Sequence, residues 1–188
     1  GAFFSFCLAA DPAPALLDET TGKIASTFRG IDADISKTAQ LIGEGVSPAA
    51  GMREALRDLC TGKSYAIDCV FINAKGIMEI VEPQKYRRYE GTNLSDQAVL
   101  RTIQKTRKPV FSELFTATEG LQGIVFEYPV FTSKKQFAGS VSLFVAPELL
   151  VRDALKDVRF PRGMSVTIVQ PDGTNVYCSD PGQTRLNA

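Results

Sequence analysis

The chain contains neither histidine nor tryptophan. Without histidine the commonest general base and zinc ligand is missing, which excludes Ser-His-Asp and Cys-His nucleophile pairs. Lysine plus arginine and aspartate plus glutamate each number 21, so neither sign is in excess. A nucleic acid partner is disfavoured, because phosphate binding leaves a basic surplus. No apolar run reaches the roughly 18 residues of a membrane-spanning helix. Cysteine is sparse as well: Cys7, Cys60, Cys69 and Cys178 form no C-x-x-C pair, which argues against zinc and thioredoxin-like chemistry. In an exported protein Cys60 is expected to pair with Cys69 over the short loop between a helix end and a strand start. Four buried free thiols are the alternative.

What is present divides into helix and strand textures. "GAFFSFCLAADPAP" opens the chain; residues 1–13 read either as an N-terminal arm or as the remnant of a secretory signal peptide. From Pro14 to Gly45, Leu17, Ile24, Phe28, Ile31, Ile35 and Ile42 recur with a helical, heptad-like period and predict a long amphipathic helix. Ser47 and Pro48 then read as cap and first position of a second helix through Leu56 and Leu59. After residue 64 come "YAIDCVFIN", the turn "NAKG" and "IMEIVEP", a predicted hairpin. A loop with two tyrosines and two arginines follows, then a helix in "SDQAVLRTIQKTRK" with Ser95 as its expected cap. "PVFSELF", "GIVFEYPVF" and "FAGSVSLFVA" are three further predicted strands, and "PELLVRDALKDVRF" is a further helix. The class is α+β, with two helices ahead of a mainly antiparallel sheet. In the tail, "TIVQPDGTNVYCSD" echoes the first hairpin, so residues 161–188 read as a terminal hairpin or the start of a second module.

Two suggestive motifs fail. "CTGKSY" lacks the first glycine of a phosphate loop, since Arg57 stands there, and it closes a helix rather than opening one. Asp32 and Asp34 are too close in sequence to share a helix face, so no metal pair is expected. More informative is the last long strand, where Ala138, Ser140 and Ser142 share a face of small side chains. Space above such a face is filled by a ligand, a loop or water. Phe126 and Tyr128 share a face of the neighbouring strand, and the loop holding Tyr86, Arg87, Arg88 and Tyr89 can fold over the sheet as a lid. An inward arginine there would present its fork to a carboxylate. The competing reading pairs the arginines with Glu82 or Glu90 at the surface.

Taken together, "VFINAKGIMEIVEP", "YEGTNLSD", "KTRKPVFS" and "YPVFTSKKQFAGSVSLFV" resemble the Cache domain, the PAS-like extracellular sensor module of chemoreceptors and sensor histidine kinases. The marks are Gly91 with Leu94-Ser95, Pro109-Val110 leading to Ser112, and Tyr128-Pro129-Val130 followed by Gly139. The resemblance implies a PAS-like five-stranded antiparallel sheet with the long N-terminal helix packed on it, a sensor domain over residues 14–160. It implies an exported, non-enzymatic protein that binds a small molecule for signal transduction, without cofactor or metal, and meets a membrane only through an anchor this sequence does not contain. The expected ligand residues are Tyr86, Arg87, Arg88, Phe126, Tyr128, Ser140 and Ser142, with an organic acid favoured; the amino-acid-binding signature of some members has no full match. An interaction domain that dimerises through the helix stripe, with no ligand, is the alternative.

Overall fold

The computed structural model describes residues 14–45, 49–118, 120–162 and 164–179. The expectations placed on residues 1–13, on Ser47 and Pro48, and on the last residues of the tail lie outside these. The chain divides into two compact units, residues 30–146 and residues 1–29 with 147–188.

In the larger unit the second half of helix α1 (Pro14–Gly43) presents Ile31, Ile35, Ala39 and Ile42 as one buried stripe. Spacings of four and three residues keep these side chains on one face of a 3.6-residue helix. The stripe is used within the chain's own core, so these isoleucines are not free to form the dimer seam they would supply in the interaction-domain reading. Helix α2 (Ala49–Cys60) buries Leu56 and Leu59. A disulfide joins Cys60, at its end, to Cys69 in the first strand, with the two Cα atoms 6.0 Å apart.

Strands β1 (Ala66–Asn73) and β2 (Met78–Glu82) form the expected hairpin. Its turn is set by Asn73, whose Oδ1 accepts from the backbone N–H of Lys75 and Ile77, and by Gly76 at φ 83°, where a side chain would be strained. A 3-10 helix, Gln84–Tyr89, and helix α3 (Ala98–Thr106) follow. Ser95 does not cap α3. Gln97 holds the cap position without a side-chain bond, and the Ser95 N–H is taken by Asn93 Oδ1 in a turn that comes earlier.

The expected strand "PVFSELF" is broken into β3 (Val110–Phe111) and β4 (Phe115–Thr116). Ser112 is the reason: its N–H donates to Val125 O and its Oγ accepts from Val125 N, so the chain is pinned to the next strand as it bends. Strands β5 (Gln122–Phe131) and β6 (Phe137–Val145) are the longest. The order is β2-β1-β6-β5-β3, with β4 also on β5, and every pair is antiparallel. This is the PAS-like sheet with its central strands contributed from both ends of the unit.

In the smaller unit, helix α4 (Pro147–Ala154) contributes Val151 to one apolar cluster with Ile24 of α1 and Ile168 of the hairpin β7 (Thr167–Val169) and β8 (Asn175–Cys178). The turn between the two strands is the Pro171-Asp172-Gly173 segment, where Asp172 Oδ1 accepts from Thr174 N.

Candidate functional site

Register decides what faces what. Residues directly opposite in antiparallel strands put their side chains on the same face. Val70 pairs with Ser142, Ser142 with Glu127, and Phe144 with both Asp68 and Val125, so these six share one face. The opposite face carries Cys69, Phe126, Tyr128, Val141 and Leu143 through the pairs Cys69–Leu143, Leu143–Phe126 and Val141–Tyr128.

The first face floors a cavity of about 40 Å³. Asp68, Val70 and Ile72 of β1, Val125 and Glu127 of β5, and Ser142 and Phe144 of β6 form its base. Leu94, Gln97, Val99 and Leu100 cover one side; Phe115, Ala117 and Thr118 cover the other. Space of this size holds about three water molecules. The segment between β2 and β5 therefore acts as a roof over the sheet, as its sequence position requires.

Glu127 dominates the base. It is 1% exposed, and its Oε1 has no hydrogen-bond partner; the Oγ of the neighbouring Ser140, also buried, has none either. Burial pushes the Glu127 carboxyl up to about 7, while the nearby Ser140 and Ser142 hydroxyls pull the other way. Asp68, 2% exposed, is the other carboxylate at the base. Among the lining residues there is no lysine or arginine.

The expected ligand residues separate accordingly. Ser142 lines the cavity and Ser140 lies buried beside Glu127. Phe126 and Tyr128 do not join them: their pairing with Leu143 and Val141 turns them to the helix side. There Phe126 meets Phe111 with ring centroids 4.8 Å apart, and the Tyr128 hydroxyl donates to Asp32 of α1. Tyr128 instead borders a more open groove of about 390 Å³ with Ser36, Gln40 and Phe131, where no buried polar atom is left unpaired among the described residues.

The Tyr/Arg segment closes on the sheet edge. Because β2 is an edge strand, a side chain can pass around it to the helix side, and Arg87 does so. Its Nη2 lies 2.6 Å from Oε1 of Glu82, the residue opposite Cys69. Arg53 of α2 reaches the same oxygen at 3.1 Å and Glu90 at 2.9 Å, and Glu90 Oε1 also accepts from Val81 N. Arg88 stacks on Tyr89 and donates to its hydroxyl. Neither arginine reaches the cavity; Arg87 takes Glu82 as its partner, but that carboxylate is buried rather than at the surface. Tyr86 and Tyr89 pack against the apolar cluster of Val70, Ile72, Met78, Val81 and Leu100, behind the lining residues.

No curated protein matches the chain significantly. Among solved structures, an extracellular ligand binding receptor from Desulfohalobium retbaense is 26% identical with a TM-score of 0.77; the match covers 89% of this chain and 31% of that one. The ligand-binding domain of the Campylobacter jejuni chemoreceptor Tlp3, in complex with 4-methylisoleucine, is 8% identical with a TM-score of 0.68 over 93% of this chain and 74% of that one. That of the Pseudomonas aeruginosa amino acid chemoreceptor PctC, in complex with GABA, is 17% identical with a TM-score of 0.64 over 88% and 72%. These establish the expected sensor fold, and the chain spans about a third of the Desulfohalobium receptor. The neighbours are extracellular receptor and kinase domains rather than enzymes, and no described helix is long and apolar enough to cross a membrane. The HK/GC/chemotaxis protein-like sensor domain family matches residues 26–147, which hold the whole sheet and its roof. With well over half of its length so matched, the chain belongs to that family of sensor domains.

Proposed function

We propose that this chain is the ligand-binding part of an exported sensor, and that the ligand is a small polar molecule held between the sheet and the roof segments. The observation that supports it is Glu127 Oε1, buried and without a partner at the base of a cavity, with the buried Ser140 Oγ beside it likewise unpartnered. An unsatisfied buried polar group costs about 1–3 kcal/mol, and most buried polar groups in folded proteins have a partner. A ligand that supplies the missing partners recovers that cost. Ser140, Ser142, Glu127, Asp68 and Gln97 are the proposed contacts. The arginine loop is assigned a structural part. The signal passes to other segments of a longer protein, and the β7–β8 hairpin, which repeats the pattern of β1–β2, opens a second module. Catalysis is not part of the proposal.

Thermal unfolding against a panel of small amines, carboxylates, amino acids and purines tests this, because a ligand of the folded state raises the midpoint. At least one compound is expected to do so in the unaltered chain and in Tyr128→Phe, but not in Ser142→Leu, whose larger side chain fills the cavity. A shift that survives Ser142→Leu and vanishes in Tyr128→Phe would move the site to the groove along α1.

A further inference from the structure

The chemistry of the cavity selects the charge of what fills it. We infer that the cavity takes a small organic cation, a protonated amine, with the Glu127 carboxylate as its counter-ion, and that the cation binds in exchange for the Glu127 proton. This rests on the reading of the cavity as the ligand site and adds the ligand class.

Three observations carry it. The charged side chains among the lining residues are Asp68 and Glu127, both acidic, and the remaining polar ones, Gln97, Thr118 and Ser142, are neutral. Glu127 Oε1, 1% exposed, has an unfilled acceptor site, and Ser140 Oγ beside it has another. An ammonium group brings three N–H donors and no acceptor, which matches two vacant oxygens better than a carboxylate or phosphate, whose oxygens would meet acids of their own sign. The third observation is size: about 40 Å³ admits a short-chain amine, whereas a bulkier ligand requires the Phe115–Thr118 roof to move outward. A bare divalent cation fits less well, since no described group of three or more Asp, Glu, Cys or His side chains could hold a metal ion.

The exchange balances. The amine arrives already protonated, the Glu127 O–H bond breaks, the proton leaves to solvent, and the ammonium takes its place at the oxygen; no bond to carbon changes. Asp68 on β1 is the other titratable group lining the cavity. Strands β3 and β6, which flank β5, contain no charged residue, and α3 and the roof contribute Val99, Leu100, Phe115, Ala117 and Thr118. Occupancy should therefore depend on pH through the carboxyl at about 7. Above that value the carboxylate is ready; below it the apparent affinity falls about tenfold per pH unit.

The test uses the whole chain with methylammonium, ethanolamine and 1,3-diaminopropane as cations, acetate and glycolate as anions, and acetamide as the neutral control. Midpoints are measured at pH 8 and pH 5.5 for the unaltered chain, Glu127→Gln and Ser142→Leu. An amine is expected to raise the midpoint at pH 8, to bind about 30-fold more weakly at pH 5.5, and to lose its effect in both variants. Calorimetry at pH 6 in two buffers of different ionisation heat should then find about 0.9 proton released per amine bound. If acetate, glycolate or acetamide gives the shift instead, and Ser142→Leu erases it, the cavity is the site but the cation inference fails. If calcium alone shifts the midpoint as far as the amines do, the organic cation is likewise overturned. If no compound acts, or all act equally on Ser142→Leu, the ligand site itself is wrong and the inference falls with it.

Discussion

Replacing Glu127 by glutamine should stabilise the chain at neutral pH and leave it unchanged in acid. Its carboxyl lies at about 7 in the folded chain against 4.5 for an unperturbed glutamate, because burial disfavours the charge. Below pH 4.5 both folded and unfolded chains hold the proton, and burial of the neutral acid brings no electrostatic loss. Between 4.5 and 7 the folded chain binds more protons than the unfolded one, so stability falls as pH rises; above 7 the loss is complete. The difference is worth about 3 kcal/mol, equivalent to a midpoint change of roughly 6 to 12 °C for a chain of this size. Urea denaturation of both proteins at half-unit steps from pH 4 to 8.5 measures it. Any constant effect of the new amide cancels in the pH dependence of the difference between the two. The glutamine variant should gain about 3 kcal/mol on the original chain across this window. A difference that stays flat, or that falls as pH rises, refutes the argument that a neutral Glu127 is what the fold prefers.

Other substitutions test the frame around the cavity. Arg87→Ala removes the closest partner of buried Glu82 but leaves Arg53 at 3.1 Å, so it should cost about 1–2 kcal/mol in chemical denaturation and leave ligand affinity unaltered. Lost binding with unchanged stability would show that the arginine serves the ligand after all. Gly139→Ala should cost about 3 kcal/mol or more, since its Cβ would lie 2.1 Å from Ile72 O at a φ of 145°; a near-normal melt would count against the close approach of β6 to β1. Replacing Cys60 and Cys69 by serine opens a link of 9 residues and is expected to cost about 2–3 kcal/mol, read as a lower urea midpoint.

The elements were legible because their signals are local. The isoleucine period marked α1, and the Asn73–Gly76 turn marked the first hairpin. The face of β6 was also legible, since alternation within one strand needs no neighbour, and it put Ser140 and Ser142 on one side. What alternation cannot give is the parity of one strand against the next. That is fixed by the Thr132–Gln136 connection and by register, and it turned Phe126 and Tyr128 to the helix side. A signal for Glu127 was nevertheless present: a single acid within the apolar run "GIVFEYPVF", as Asp68 is within "YAIDCVFIN". A lone charge inside a strand of a buried sheet is more informative than an aromatic residue beside it, because the aromatic has an apolar reason to be there and the acid has none. Arg87 misled for the opposite reason. It has an acid five residues back in sequence, and an edge strand lets the two meet without the cavity.

Strand β5 is a partition one residue thick. Glu127 stands on its chamber side and Tyr128, the next residue, on its helix side, where the hydroxyl holds Asp32 of α1. A displacement of the strand by whatever occupies the chamber would therefore need no relay through packed side chains to be felt at α1. Adjacent residues of a pleated chain move together, so the wall that encloses the ligand would also be the part that reports it.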